Sequence, residues 1–392
     1  MKRFTAFCLI ALCLIAPLTA ADQYSLVIDA GSSGSRIYIY KVQPNQHDEL
    51  PAVTYVDSSS VNPGISDWNE DPAAAKANLQ TLVDFAKEKV PADAQKTTPL
   101  RLMATAGMRM PIKKERDQIM NDVNGFFSAD GSFAYKGGVI LAGSYEALYS
   151  WIALNYSNDQ FDPAQAREGI LEMGGASTQI AFHRKKAFKR HHIGRTFRGK
   201  EYNVYARSYL FMGQVEAMKL SVDSPCYPKK YPMDFGFGTG DFDDCSNEIM
   251  ERFNSICENM EHSRGPHCIF MNPVKSRANI SYFAVPAFKE TFEFFGLTPD
   301  VDLNTLAEKG REYCAMDWDA LKEQYSGIHP FFLKTFCYNA AYFHTLIKEG
   351  YGFEDRGAKI LPNDGSWTLG AVIDTNLGNE PAEYKAGKKP KS

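Results

Sequence analysis

The sequence is short of several things, and each shortage excludes a function. It has no surplus of basic charge: 43 Lys and Arg stand against 47 Asp and Glu, a net charge of -4. Nothing global is therefore available to grip nucleic acid or anionic lipid. Beyond the N-terminus there is no apolar run of the roughly 20 residues that a spanning helix needs. There is no Cys-x-x-Cys pair, and His262 and His267 lie among cysteines too widely spaced for a zinc finger. No glycine-rich loop ends in Gly-Lys-Ser/Thr, so a P-loop is absent. The composition, 44% hydrophobic and 23% charged, also rules out disorder, collagen and coiled coil. What remains is an ordinary globular chain of 392 residues. That exceeds the roughly 250 to 300 residues at which single cores stop growing, so two domains flanking a cleft are expected.

The first 21 residues read as a signal peptide. Lys2 and Arg3 supply a positive start, residues 4–16 are apolar, and Pro17, Thr19, Ala20 and Ala21 offer a cleavage site. The apolar run is too short for a membrane anchor, and neither Cys8 nor Cys13 sits in a lipoprotein context. A soluble, exported protein is expected, secreted or periplasmic. Removing the signal leaves Cys226, Cys245, Cys257, Cys268, Cys314 and Cys337, an even set suited to disulfides in an oxidising compartment. Six cysteines allow fifteen connectivities, among which spacing cannot choose.

The chemistry lies in two similar loops. Residues 24–28, Tyr-Ser-Leu-Val-Ile, read as a buried strand that runs into Asp29-Ala-Gly-Ser-Ser-Gly-Ser-Arg36, and residues 37–40 read as strand again. Later, residues 169–171 lead into Glu172-Met-Gly-Gly-Ala-Ser-Thr-Gln179, with strand again at 180–182. The two carboxylates are 143 residues apart, about one domain's length. Glycines let the backbone approach a ligand and aim consecutive N–H groups at it, and serines add donors, which suits a polyphosphate. A carboxylate at a strand end holds Mg²⁺ or Ca²⁺ through water. Two facing hairpins would clamp phosphates from both sides.

These residues also carry a family resemblance. Residues 29–36, Ala104-Thr-Ala-Gly-Met-Arg109, Gly143-Ser-Tyr-Glu-Ala-Leu-Tyr-Ser-Trp151, residues 172–179 and Trp367-Thr-Leu-Gly370 resemble, in order, the five apyrase-conserved regions of the nucleoside triphosphate diphosphohydrolases. The likeness spans nearly the whole mature chain and suggests a secreted bacterial member. It implies an α/β fold of two actin-like domains, of the sugar-kinase and heat-shock ATPase superfamily (RNase H-like), flanking a nucleotide cleft. It also implies hydrolysis of nucleoside tri- and diphosphates such as ATP, ADP, GTP and GDP. The implied cofactor is Mg²⁺ or Ca²⁺, with Mn²⁺ a further option. No nucleic-acid partner follows, and a monomer is expected.

By the same resemblance Glu146 is the general base, in the first turn of a helix spanning 145–155. Ser177 and Gln179 hold the attacking water. Ser32, Ser33, Gly34, Ser35, Thr105, Ala106 and Gly107 contact phosphate from one side, and Gly174, Gly175 and Ala176 from the other. Asp29 and Glu172 are the metal-site carboxylates, acting through water, with Trp367 beside them or packing beneath the cleft. Arg109 either reaches phosphate or forms a supporting ion pair. The fourth region usually opens with Asp; Glu172 departs from it by one methylene, which extends the carboxylate by about 1.5 Å.

For the nucleobase, Phe288, Phe332, Phe336, Tyr338 and Tyr342 are candidates for stacking, each with an alternative place in the core. The family's cysteine pattern implies Cys226–Cys257, Cys245–Cys268 and Cys314–Cys337. The family fold implies a first domain of residues 22–142 completed by 361–392, with 143–360 as the second. The basic run 183–200 reads as a solvated loop or sheet edge. An exopolyphosphatase, which shares a strand-Asp-x-Gly-Ser start, and a non-catalytic nucleotide-binding module of the same fold are the competing readings.

Overall fold

The computed structural model describes residues 23–43, 50–161, 168–184, 191–258, 269–274, 280–353 and 359–385. The segment expected to be a signal peptide lies outside them. The first sheet has the order β3-β2-β1-β4-β5, built from β1 (Gln23–Ala30), β2 (Ser35–Gln43), β3 (Ala52–Val61), β4 (Pro99–Ala104) and β5 (Ala134–Ile140). The first three strands are antiparallel, and β4 and β5 continue parallel to β1.

The second sheet repeats this plan. It contains β6 (Gly169–Met173), β7 (Ser177–His183), β8 (His192–Phe197), β9 (Lys200–Leu210), β10 (Ser281–Pro286) and β11 (Lys359–Pro362), in the order β11-β10-β6-β7-β9-β8. Read from β9 to β11, the sequence of antiparallel and parallel neighbours matches that from β3 to β5. β8, from the basic run, is an added edge strand paired with β9. β11 carries the second sheet through Leu361 to Pro362.

Alternation along the central strands decides where the carboxylates emerge. Leu26, Ile28 and Ala30 point into a core beneath the helices Pro72–Lys89 and Lys113–Asp130, whereas Val27 points into the core between the sheets. Two residues beyond Val27, Asp29 leaves β1 on that shared side. In β6, Leu171 and Met173 face the outer core and Ile170 the shared one, so Glu172 emerges opposite Asp29's strand end.

Between the sheets lie the helices Gly143–Ser157 and Trp367–Asn376. They approach so closely that a Cβ on Gly370 would lie 1.9 Å from the Tyr149 carbonyl oxygen, which only glycine allows. The closing helix is tied to both sheets. Thr368 Oγ1 shares a 2.7 Å hydrogen bond with the Tyr40 hydroxyl on β2, and Asp374 accepts from Arg195 of β8 at 2.8 and 3.1 Å. The last segment of the chain thus bridges the two halves.

The outer core of the second half carries the disulfides, and here the expected pairing is corrected. Cys226 bonds Cys245, not Cys257, and Cys245 is therefore not available to Cys268. Cys226 ends the turn Ser224–Cys226 beside the first turn of the helix Phe242–Glu258, with 4.9 Å between the Cα atoms of Cys226 and Cys245. Cys257 is twelve residues along that helix, about 18 Å from Cys245. It is itself disulfide-bonded, and Cys268 lies outside the described residues. Cys314–Cys337 forms as expected.

Candidate functional site

The two hairpins share a backbone plan. In the first, Gly31 N–H donates to Gly34 O at 2.9 Å, and Asp29 pairs with Arg36 across the ladder. In the second, Gly174 N–H donates to Ser177 O at 3.0 Å, and Glu172 pairs with Gln179. The 143-residue offset holds at all four positions. The tips meet: a Cβ on Gly175 would sit 2.8 Å from Ser32 Oγ.

Between them opens a cleft of about 910 Å³. Asp29, Ser32, Ser33, Gly34, Ser35, Thr105 and Ala106 line it from one side, and Glu172, Gly174, Gly175, Ala176 and Ser177 from the other. Glu146 and Trp367 also line it. Thr105 is held by its N–H donating to Ala30 O at 3.0 Å. Gly107 is not on the cleft wall. It backs the first hairpin, where a Cβ would come 2.7 Å from Ser32 Cα.

The electrostatics concentrate on three carboxylates. Asp29 is pushed up to about 7, chiefly by burial and then by the charge of Glu146, while Arg36, a hydrogen bond from Trp367 and Arg109 pull the other way. Glu172 is held well above the ordinary carboxylate range, again by burial first and Glu146 second. Glu146 itself is ion-paired through Oε2 to Arg109, whose Nε donates to Leu141 O at 3.0 Å. The supporting ion pair open to Arg109 is formed, and its partner is the expected base.

Ser177 is buried and accepts from Gln179 Nε2 at 2.7 Å, and the same amide donates to Ser208 Oγ at 3.1 Å. Gln179 Oε1 is left buried without a partner among the described residues. Trp367 lines the cleft and stacks on Tyr149 with centroids 6.4 Å apart.

These oxygens suit a hard divalent cation. Asp29 Oδ1 is a buried acceptor without a hydrogen-bond partner among the described residues, and burial together with mutual repulsion leaves the carboxylates short of positive charge. Among the described residues no three His, Cys, Asp or Glu side chains gather closely enough to ligate an ion directly.

The aromatic candidates for the base are corrected. Phe288, Tyr338 and Tyr342 are fully buried in the outer core of the second half, where Tyr342 donates to Met212 O at 2.7 Å. Phe336 stacks on Phe294, and Phe332 is exposed next to Phe331. None of the five lines the cleft. Apolar content alone does not distinguish a core ring from a cleft wall. The rings on the wall are Tyr38, Tyr40 and Tyr55 of the first sheet, together with Trp367.

Sequence reasoning also missed Ser150, whose hydroxyl donates to Glu172 Oε2 at 2.5 Å, and Arg36, which lines the cleft. The signal for Ser150 was present, since it lies four residues after Glu146 and so on the same helix face.

Two domains of one strand order, closed on a cleft between matching hairpins, define an actin-like α/β protein. A crystal structure of nucleoside triphosphate hydrolases from Neospora caninum superposes with a TM-score of 0.66 at 15% identity, covering 91% of this chain and 93% of that one. A Ppx/GppA family protein from Aquifex aeolicus follows at 0.55 and 12%, covering 91% and 98%. At these identities the likeness is one of fold.

Sequence comparison goes further. Residues 16–382 match the GDA1/CD39 (nucleoside phosphatase) family, and the chain belongs to it. It is 29% identical to ectonucleoside triphosphate diphosphohydrolase 8 of Gallus gallus, over 95% of this chain and 87% of that protein. It is 28% identical to probable apyrase 5 of Arabidopsis thaliana, over 94% and 85%. The protein is thus an enzyme of the nucleoside triphosphate diphosphohydrolase class.

Proposed function

We propose that the chain is an exported apyrase that hydrolyses nucleoside tri- and diphosphates to the monophosphate and inorganic phosphate. The observation that carries this reading is the convergence of Glu146, both hairpins, Asp29 and Glu172 on one cleft. The hairpin N–H groups and serine hydroxyls hold the polyphosphate. Ser177 and Gln179 hold a water, and Glu146 takes its proton as its oxygen attacks the terminal phosphorus. Arg109 occupies Oε2 of Glu146, leaving Oε1 to receive that proton. Asp29 and Glu172 would hold Mg²⁺ or Ca²⁺ through water. When bound, the cation neutralises charge on the phosphate oxygens.

Export is supported by the N-terminal segment and by disulfides, which persist in oxidising compartments. Among the described residues no helix is long and apolar enough to cross a membrane.

The test is phosphate release from ATP, ADP, AMP and inorganic polyphosphate, with and without Mg²⁺. Release from ATP and ADP but not AMP, lost on chelation, is expected. Activity on polyphosphate alone, or none on any of the four, overturns the reading.

A further inference from the structure

The carboxylate that opens the second hairpin is one methylene longer than that of the first, and it has a partner the first lacks. Ser150 projects from the same face of the Gly143–Ser157 helix as Glu146. Its hydroxyl donates to Glu172 Oε2 at 2.5 Å, and the two residues are 2% and 7% exposed. A serine within a helix commonly turns its hydroxyl to the carbonyl four residues back, and a buried hydroxyl without a bond is costly. Here the single proton crosses to β6 instead. An aspartate at 172 would stop about 1.5 Å short, opening the contact to roughly 4 Å, beyond hydrogen-bonding range. On the first hairpin, Asp29 Oδ1 has no such partner among the described residues.

We propose that Ser150 is a positioning residue for the cation site: by holding Oε2 of Glu172 it reserves Oε1 for the cleft and sets the longer carboxylate at working depth, so that Ser150 and Glu172 act as a pair. This rests on the cation-dependent hydrolysis proposed above. One consequence runs against intuition. Glu172→Asp, which installs the residue more usual in the resembling family, should harm this chain rather than improve it.

The experiment uses the mature chain with a non-hydrolysable ATP analogue and titrates Mn²⁺ by electron paramagnetic resonance, while thermal melting checks that each variant is folded. Glu172→Asp and Ser150→Ala are each expected to weaken Mn²⁺ binding roughly tenfold, the effect of one hydrogen bond to a charged group. The double variant should bind no more weakly than Glu172→Asp alone, because the second change removes a hydroxyl that has already lost its partner. Losses that multiply in the double variant overturn the pair, as does wild-type affinity in Glu172→Asp or the absence of Mn²⁺ binding in the unsubstituted chain. Should Ser150→Ala fail to fold, the Glu172→Asp titration alone decides. Phosphate release by the unsubstituted chain is read in parallel. Coupled Mn²⁺ binding without hydrolysis of ATP or ADP overturns the proposed function and leaves the pair standing, whereas independent losses in a hydrolysing chain overturn only the pair.

Discussion

The first hairpin and the second have the same turn, the same ladder pairing and the same place in their sheets, yet their carboxylates live differently. Asp29 ends β1 with one oxygen unpartnered among the described residues and with Arg36 beside it on the cleft wall. Glu172, near the end of β6, is bonded to Ser150, and side chains after it bond one another: Thr178 Oγ1 bonds the Glu172 carbonyl and the Tyr351 hydroxyl, and Gln179 Nε2 bonds Ser177 and Ser208. A backbone duplicated at a constant offset thus carries two jobs. Under the proposed function both hairpins would hold phosphate, and the second would in addition fix the attacking water. What separates them is the helix bearing Glu146 and Ser150, which packs on the second sheet and reaches only the second carboxylate through a side-chain hydrogen bond.

This division can be broken most directly by kinetics. Glu146→Gln should lower kcat by about 10² to 10⁴ while leaving nucleotide affinity nearly intact, whereas Arg36→Met on the first hairpin should raise KM roughly tenfold through loss of a charge-assisted contact. Steady-state rates and equilibrium binding of a non-hydrolysable analogue separate the two. If Arg36→Met lowered kcat as deeply as Glu146→Gln, the proposed separation of substrate holding at Arg36 from chemistry at Glu146 would fail.

The halves should also differ in stability. Only the outer core of the second half contains the described disulfides, and Cys226 and Cys245 are separated by 19 residues. Replacing both with serine should cost about 3 kcal/mol, read as a lower denaturant midpoint for the second half. An unchanged midpoint would count against a stabilising role for the bridge.

A smaller effect concerns acid. His344, packed on Phe242 and facing Lys348, Arg311 and Asp243, is pushed down to about 4, mainly by burial. Because its folded pKa lies below the unfolded value near 6.5, the unfolded chain binds the extra proton first. Stability from this group is complete above pH 6.5 and drains away as the pH falls towards 4. His344→Phe should flatten the melting temperature over that window by a few degrees. A variant that keeps the wild-type slope would place the acid sensitivity elsewhere.

Much of the site was legible in the sequence because its parts are local. A β-branched run, a Gly/Ser tip and a second run make a hairpin whatever lies around it, and the helix that starts at 143 is announced by the strand before it. The nucleobase aromatics were misread because Phe288, Tyr338 and Tyr342 have the composition of either a core or a wall, and burial decides between them. The pairing of Cys226 that the resemblance implied failed because Cys245 and Cys257 stand at opposite ends of one helix, and only the packing of that helix shows which of the two meets Cys226. Arg109 was legible as a cation near the cleft, but its partner was not.

The sequence by itself determined the two hairpins and the helix that carries Glu146, since each depends on residues within a few positions of one another. Tertiary structure decided which atoms meet: Arg109 with Glu146 across 37 positions, Ser150 with Glu172 across 22 and Tyr40 with Thr368 across 328. These contacts follow from strand register and from how the two central helices pack between the sheets. The charge state of a buried carboxylate depends on its distance through space to other charges, which no separation along the chain records.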